Sequence, residues 1–137
     1  MSKIKVFLID DHDIIRTGIR KMLELEPGFE VVGEACDADE AFACMDKLMV
    51  LGPSVILMDI KMPGMDGIEL TRQLKRKLPE CKILIFTLHS DYLSQAFKAG
   101  ASGYLLKDIR RSELTRLIRQ ALKGDTVLSK NLGPAAF

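Results

Sequence analysis

Carboxylates fall at two places where the flanking residues would hold them still. "LIDDHD" (Leu8–Asp13) sets Asp10, Asp11, His12 and Asp13 after an apolar run, and "VILMDIKMPGMDG" (Val55–Gly67) sets Asp59 after another. Thr87 ends "KILIFT" and Lys107 ends "GYLLK" in the same way. Each residue alone has a plain structural use: an aspartate caps a helix, a threonine favours strands, a lysine is solvated. Gathered together, they form a chemical set. Crowded carboxylates repel, and their pKa values rise unless a cation joins them. Oxygen donors suit Mg²⁺ or Mn²⁺ rather than zinc. Such a partly hydrated dication neutralises charge on a phosphoryl group in transfer. Lys107 can pair with one phosphoryl oxygen, and the Thr87 hydroxyl can donate to another. A carboxylate not consumed by metal binding is then a nucleophile that forms an acyl phosphate.

Placing these groups falls to an alternation of elements. "IKVFLID" (Ile4–Asp10), "EVVGE" (Glu30–Glu34), "SVILMD" (Ser54–Asp59), "KILIFT" (Lys82–Thr87) and "GYLLK" (Gly103–Lys107) read as strands. Three are unbroken apolar runs, as expected of strands covered on both faces in a parallel sheet. Between them the apolar spacing turns helical, with stripes at Ile15–Leu23, Ala41–Met49, Leu70–Leu78, Leu93–Phe97 and Leu114–Leu122. Pro27-Gly28, Gly52-Pro53, Pro79, Gly100 and Gly124 close the helices. Asp66 is the expected cap of the third helix, and Ser90 or Asp91 of the fourth. Five βα units predict a doubly wound α/β sandwich with right-handed crossovers and strand order 2-1-3-4-5. In that order strands one and three are neighbours, and ligands bind beyond their carboxyl ends. Residues 1–124 read as one domain. The tail "DTVLSKNLGPAAF" (125–137) holds no further periodic element and reads as a linker or frayed end.

Composition narrows the classes. The chain has 137 residues, enough for one domain, with 47% hydrophobic and 28% charged residues. A formal net charge of +1 gives no global footprint for nucleic acid or an acidic membrane. No apolar run approaches the ~18 residues of a membrane span. Lys3 and Lys5 precede only "VFLI", too short for a signal-peptide core. Three cysteines without CxxC spacing read as reduced thiols of a cytoplasmic protein. GxxxxGK and GxGxxG are absent, which argues against nucleotide binding. "DDH" satisfies a D-x-H metallophosphoesterase pattern, but such sites need several further histidines and only His89 remains. Dehalogenase-like phosphotransferases use D-x-D, whereas Asp59 is followed by Ile60 and Lys61.

In order and spacing, "LIDDHD", "ILMDIKMPGMDG", "FTLHS" and "GASGYLLKD" resemble the receiver domain of two-component response regulators, from Lys3 to about Gly124. "GYLLKD" with "FTLH" leans toward the subfamily whose receivers precede a LuxR-type helix-turn-helix output domain. The resemblance implies a flavodoxin-like fold and a phosphorylation-controlled switch. Asp59 would be the phosphoacceptor, charged by the phosphohistidine of a sensor histidine kinase. Mg²⁺ (or Mn²⁺) would be bound by Asp11 and Asp59, by Asp10 through water, and by the Lys61 backbone carbonyl. Thr87 would be the switch hydroxyl, Lys107 the charge partner, and Tyr104 the aromatic that changes rotamer. Lys61 and His89 would flank the acyl phosphate and tune its lifetime.

The resemblance further implies a protein that catalyses only its own phosphorylation and dephosphorylation. The changed face would be helix four, strand five and helix five, read by a second receiver in a homodimer or by an attached output domain. DNA would be met only through that output domain, and no membrane is implied. Alternatives are a stand-alone receiver acting by protein contact, an inert module of the same fold, or a Mg²⁺-dependent aspartyl-phosphate phosphatase. Three features depart from the common pattern. Leu88 is bulky where a small residue is frequent, which would narrow phosphoryl access. Asp108 replaces the proline that often follows the lysine across a cis bond. The segment between strands two and three is about one helical turn longer than expected.

Overall fold

A computed structural model describes residues 3–129 and residue 132. Six parallel strands, β1 (Ile4–Ile9), β2 (Phe29–Ala35), β3 (Val55–Met58), β4 (Lys82–Thr87), β5 (Gly103–Leu106) and β6 (Val127–Leu128), form one sheet in the order β2-β1-β3-β4-β5-β6. The helices are α1 (Asp13–Glu24), α2 (Ala38–Ala43), α3 (Met45–Leu51), α4 (Gly67–Lys77), α5 (Leu93–Lys98) and α6 (Arg111–Leu122).

The unbroken apolar strands are explained by the two cores they separate. Side chains alternate across a strand. In β3, Val55 and Leu57 join Leu23, Leu114, Leu117 and Ile118 under α1 and α6, whereas Ile56 and Met58 join Leu70, Leu74, Leu93 and Ala96 under α4 and α5. β1 and β4 divide in the same way, Val6 and Leu8 to one face and Phe7 and Ile9 to the other. Each buried aliphatic or aromatic side chain contributes roughly 1.5–3 kcal/mol. The strands nearest the site are thus the most firmly held.

The order 2-1-3-4-5 is as the alternation predicts, and three details differ. The second crossover carries two helices, because the chain breaks at Cys44 (φ −88°, ψ 2°) before α3 ends on left-handed Gly52. This break accommodates the extra length noted between strands two and three. Asp66 caps α4 as expected, its Oδ1 accepting from Ile68 N (3.0 Å) and Glu69 N (2.9 Å). Neither Ser90 nor Asp91 caps α5; Tyr92 holds that position without a side-chain cap. The His89 backbone is engaged by Thr87 and Tyr104, and the helix starts only at Leu93.

The third difference lies in the segment read as a tail. Val127 and Leu128 pair with Gly103 and Tyr104, and Ser129 Oγ accepts from Leu106 N at 3.1 Å. Two residues are too few to show a period, which is why the sequence pattern misses β6. Residues 130, 131 and 133–137 of that segment lie outside the described residues. No peptide bond among the described residues is cis, so Lys107–Asp108 is trans.

α4 meets the sheet through Gly67. Its N–H donates to Ile60 O (2.8 Å), and a Cβ there would fall 1.8 Å from the Asp59 carbonyl oxygen. Gly67→Ala must therefore displace either α4 or the backbone of Asp59. The expected loss is about 2–3 kcal/mol, as for overpacking elsewhere, read from urea denaturation midpoints.

Candidate functional site

The register of β1 and β3 builds the site. Ile9 pairs with Met58, so the residues that follow, Asp10 and Asp59, leave the sheet side by side. Their backbones remain tied to it: Asp59 N donates to Ile9 O (2.9 Å) and Asp10 N to Ala35 O (3.1 Å). Asp59 is 3% exposed and Asp10 6%, while Asp11 is partly exposed. Lys107 arrives from the end of β5, where its N–H is bonded to Thr87 O (2.9 Å). Its Nζ bridges Asp10 Oδ2 (2.7 Å) and Asp59 Oδ2 (3.0 Å).

One ammonium faces three carboxylates. Burial holds the Asp59 carboxyl above the ordinary carboxylate range, and the Lys107 charge opposes that rise without cancelling it. Asp59 Oδ1 accepts from Ile60 N (2.8 Å). Asp11 Oδ1 is buried with no hydrogen-bond partner. An orphaned carboxylate oxygen beside two other acids, with negative charge in excess, fits a hard dication bound by oxygen.

Thr87 and Tyr104 both bond the backbone of His89. Thr87 Oγ1 accepts from His89 N (3.3 Å), and the Tyr104 hydroxyl donates to His89 O. Tyr104, which pattern alone would make half-buried, is fully buried, and that burial pushes its phenol up to about 12. The His89 side chain is exposed and meets the Tyr92 ring edge-on, with centroids 6.3 Å apart. Lys61 Nζ lies 4.6 Å from the centre of the same ring, where the Tyr92 hydroxyl raises its pKa. The Lys61 side chain is thus on Tyr92, beside the pocket. Leu88 is 63% exposed.

Two participants escaped the sequence reading. The Arg16 guanidinium donates to the Asp10 backbone carbonyl, to Glu34 Oε1 (2.8 Å) and to Asp13 Oδ1 (2.7 Å), clamping the loop that carries the acids. Its position off the apolar stripe of α1 was the available signal. His12, visible in "DDHD" but given no role, sets Nδ1 3.1 Å from Asp10 Oδ1 and 3.2 Å from Asp11 Oδ1.

A parallel doubly wound sheet that delivers an acid cluster, a lysine and a threonine to one edge defines a receiver. The chain matches the response regulator receiver domain family over residues 6–119 and belongs to it. It is thus the receiver module of two-component signalling, a phosphorylation-controlled switch. Among curated relatives, the transcriptional regulatory protein LiaR of Bacillus subtilis is 43% identical over 132 residues, covering 94% of this chain and 61% of LiaR. The transcriptional regulatory protein DegU of Brevibacillus brevis is 39% identical over 125 residues, covering 90% of this chain and 52% of DegU. The chain therefore spans little more than half the length of these relatives. A LuxR-family two-component response regulator from Aurantimonas sp. superposes with a TM-score of 0.85 at 39% identity, covering 96% of this chain and 93% of that one. No helix among the described residues is long and apolar enough to cross a membrane.

The raised Asp59 carboxyl has a consequence for stability. The unfolded chain releases this proton near pH 4, the native protein only at higher pH. Ionising Asp59 therefore lowers stability as pH rises through that window. In metal-free buffer Asp59→Asn is expected to raise stability at pH 7, because a buried charge is removed while Asp10 keeps Lys107 paired. The gain should vanish below the window, as followed by denaturation at several pH values.

Proposed function

We propose that Asp59 accepts a phosphoryl group from the phosphohistidine of a sensor histidine kinase, and that the resulting charge switches this domain in the cytoplasm. The observation that supports this reading most is Asp59 itself: buried at a strand tip, paired with Lys107 and flanked by Asp10 and Asp11. An Asp59 carboxylate oxygen attacks phosphorus, the N–P bond breaks with its electron pair passing to nitrogen, and the kinase imidazole, already protonated on its other ring nitrogen, leaves in its neutral form. Asp11 and Asp59 would hold Mg²⁺ (or Mn²⁺) directly, with Asp10 through water and the Lys61 carbonyl completing the set. The ion supplies charge neutralisation on the transferred group. Lys107 exchanges its carboxylate partner for a phosphoryl oxygen, and Asp10 keeps it within reach.

The modified side chain carries nearly two negative charges and new acceptor oxygens. The Thr87 hydroxyl donates to one of them, and its movement toward the phosphoryl group stretches the 3.3 Å bond it accepts from His89 N–H. Because Tyr104 holds the other end of His89, the loop before α5 and the Tyr104 rotamer change together. The face altered is α5–β5–α6. It controls a homodimer or an attached DNA-binding domain, as the transcriptional regulators among the relatives suggest. Moving such an equilibrium from mostly off to mostly on takes about 5 kcal/mol. The domain catalyses only the gain and loss of its own phosphoryl group.

Incubation with acetyl phosphate and Mg²⁺ should add one phosphoryl group by intact mass, and none in Asp59→Asn or in the presence of chelator. An unmodified wild type would leave the inert-module reading ahead. Lys61→Met should change the dephosphorylation rate several-fold, followed by the decay of the adduct; equal rates would remove Lys61 from the tuning set.

A further inference from the structure

His12 has no place in the reading above, yet its ring nitrogen sits among all three acids. Nδ1 lies 3.1 Å from Asp10 Oδ1, 3.2 Å from Asp11 Oδ1 and 3.6 Å from Asp59 Oδ2. Ligand atoms from the four residues lie within 4.8 Å of one another. A single ring N–H can satisfy Asp10 Oδ1, which leaves the other two approaches unexplained. Asp11 Oδ1 in fact has no hydrogen-bond partner despite the nearby nitrogen. Neighbouring donors around a six-coordinate dication with bonds of about 2.1 Å stand about 3 Å apart. Of the two direct carboxylate ligands, Asp11 Oδ1 at 3.2 Å matches that ligand-to-ligand spacing, and Asp59 Oδ2 at 3.6 Å is slightly longer. A hydrogen bond accounts for the contact with Asp10, and a place beside the direct ligands Asp11 and Asp59 accounts for the other two.

The surroundings keep the ring there. His12 N donates to Asp10 Oδ1 (2.8 Å), which folds the loop back over the acids. Arg16 clamps the same loop from the far side through the Asp10 carbonyl. Lys107 occupies Asp10 Oδ2 and Asp59 Oδ2, so the face of Asp10 turned toward His12 is the one without the ammonium. The His12 side chain is 50% exposed, so apolar packing does not explain its position.

We infer that His12 Nδ1 is a nitrogen ligand of the metal site, shifting this pocket's preference from Mg²⁺ toward borderline transition-metal dications such as Co²⁺ or Zn²⁺, with Mn²⁺ between. The inference rests on the receiver reading only in placing a dication among these acids. Imidazole strengthens binding along the order Mn²⁺, Co²⁺, Zn²⁺, whereas Mg²⁺ favours carboxylate and water oxygen. A site of three carboxylates would discriminate less. The metal that supports phosphorylation in this protein is then set in part by a side chain next to the acid pair.

The test loads the whole protein with Mn²⁺ and looks for ¹⁴N coupling by pulsed electron paramagnetic resonance, with Mn²⁺ and Mg²⁺ affinities measured calorimetrically. Nitrogen coupling is expected in the wild type and in His89→Gln, and is expected to be lost in His12→Gln. The ratio of Mn²⁺ to Mg²⁺ affinity should fall about tenfold or more in His12→Gln. Bound Mn²⁺ without nitrogen coupling in the wild type overturns the assignment, and that result needs no variant to fold. Coupling that persists in His12→Gln, or an unchanged affinity ratio, overturns it as well. Acetyl-phosphate labelling of the same wild-type sample with Mg²⁺ separates the two readings. Labelling without nitrogen coupling removes His12 alone, and failure to bind any dication removes both.

Discussion

Like charges held side by side at one edge of a sheet are the constraint on which this structure turns. Asp10 and Asp59 emerge from adjacent strands, with Asp11 beside them and one ammonium between. Carboxylates so close would separate if their backbones could move. They cannot, because β1 and β3 are covered on both faces by packed side chains and tied to each other in register. The sheet thus maintains a deficit of positive charge that a dication would relieve. Lys107 offsets part of the deficit, and its own position depends on β5 pairing with β4.

That stored imbalance has a route to the surface. Thr87 and Tyr104 do not touch each other's hydroxyls; both bond the backbone of His89, one through its N–H and one through its carbonyl. The loop before α5 is thus held at one residue from two directions, by β4 and by β5. Lys61 and the His89 ring meet on Tyr92 in that same loop, joining the segment after Asp59 to it. On the opposite side, Arg16 fixes the acid-bearing loop to Glu34 of β2. The pocket is therefore tied to β2 through Arg16 on one side and bounded by the His89 contacts on the β4–α5 side.

Asp10, Asp11, Asp59, Thr87 and Lys107 were legible as a set, because each follows an apolar run and parallel strands deliver their carboxyl ends to one edge. The five-unit alternation and the Asp66 cap were legible for the same reason: periodicity and capping are local properties of the chain. The break at Cys44, the missing cap before α5 and the short β6 were not. Each is settled by what a segment packs against, and two paired residues or one broken turn leave no period to read.

The sequence by itself determined the kind of sheet, its strand order, and which side chains stand at its carboxyl edge, since the order of apolar runs and turn residues allows few other arrangements. How those side chains engage depends on contacts made after folding. The bridging of two carboxylates by Lys107, the seat of His12 among three acids and the clamp of Arg16 are contacts between different elements. The hold on His89 passes through backbone atoms, which every residue possesses and which no residue type announces. Distances of 3 Å follow from register and crossover packing, and these exist only once the two cores have closed on the sheet.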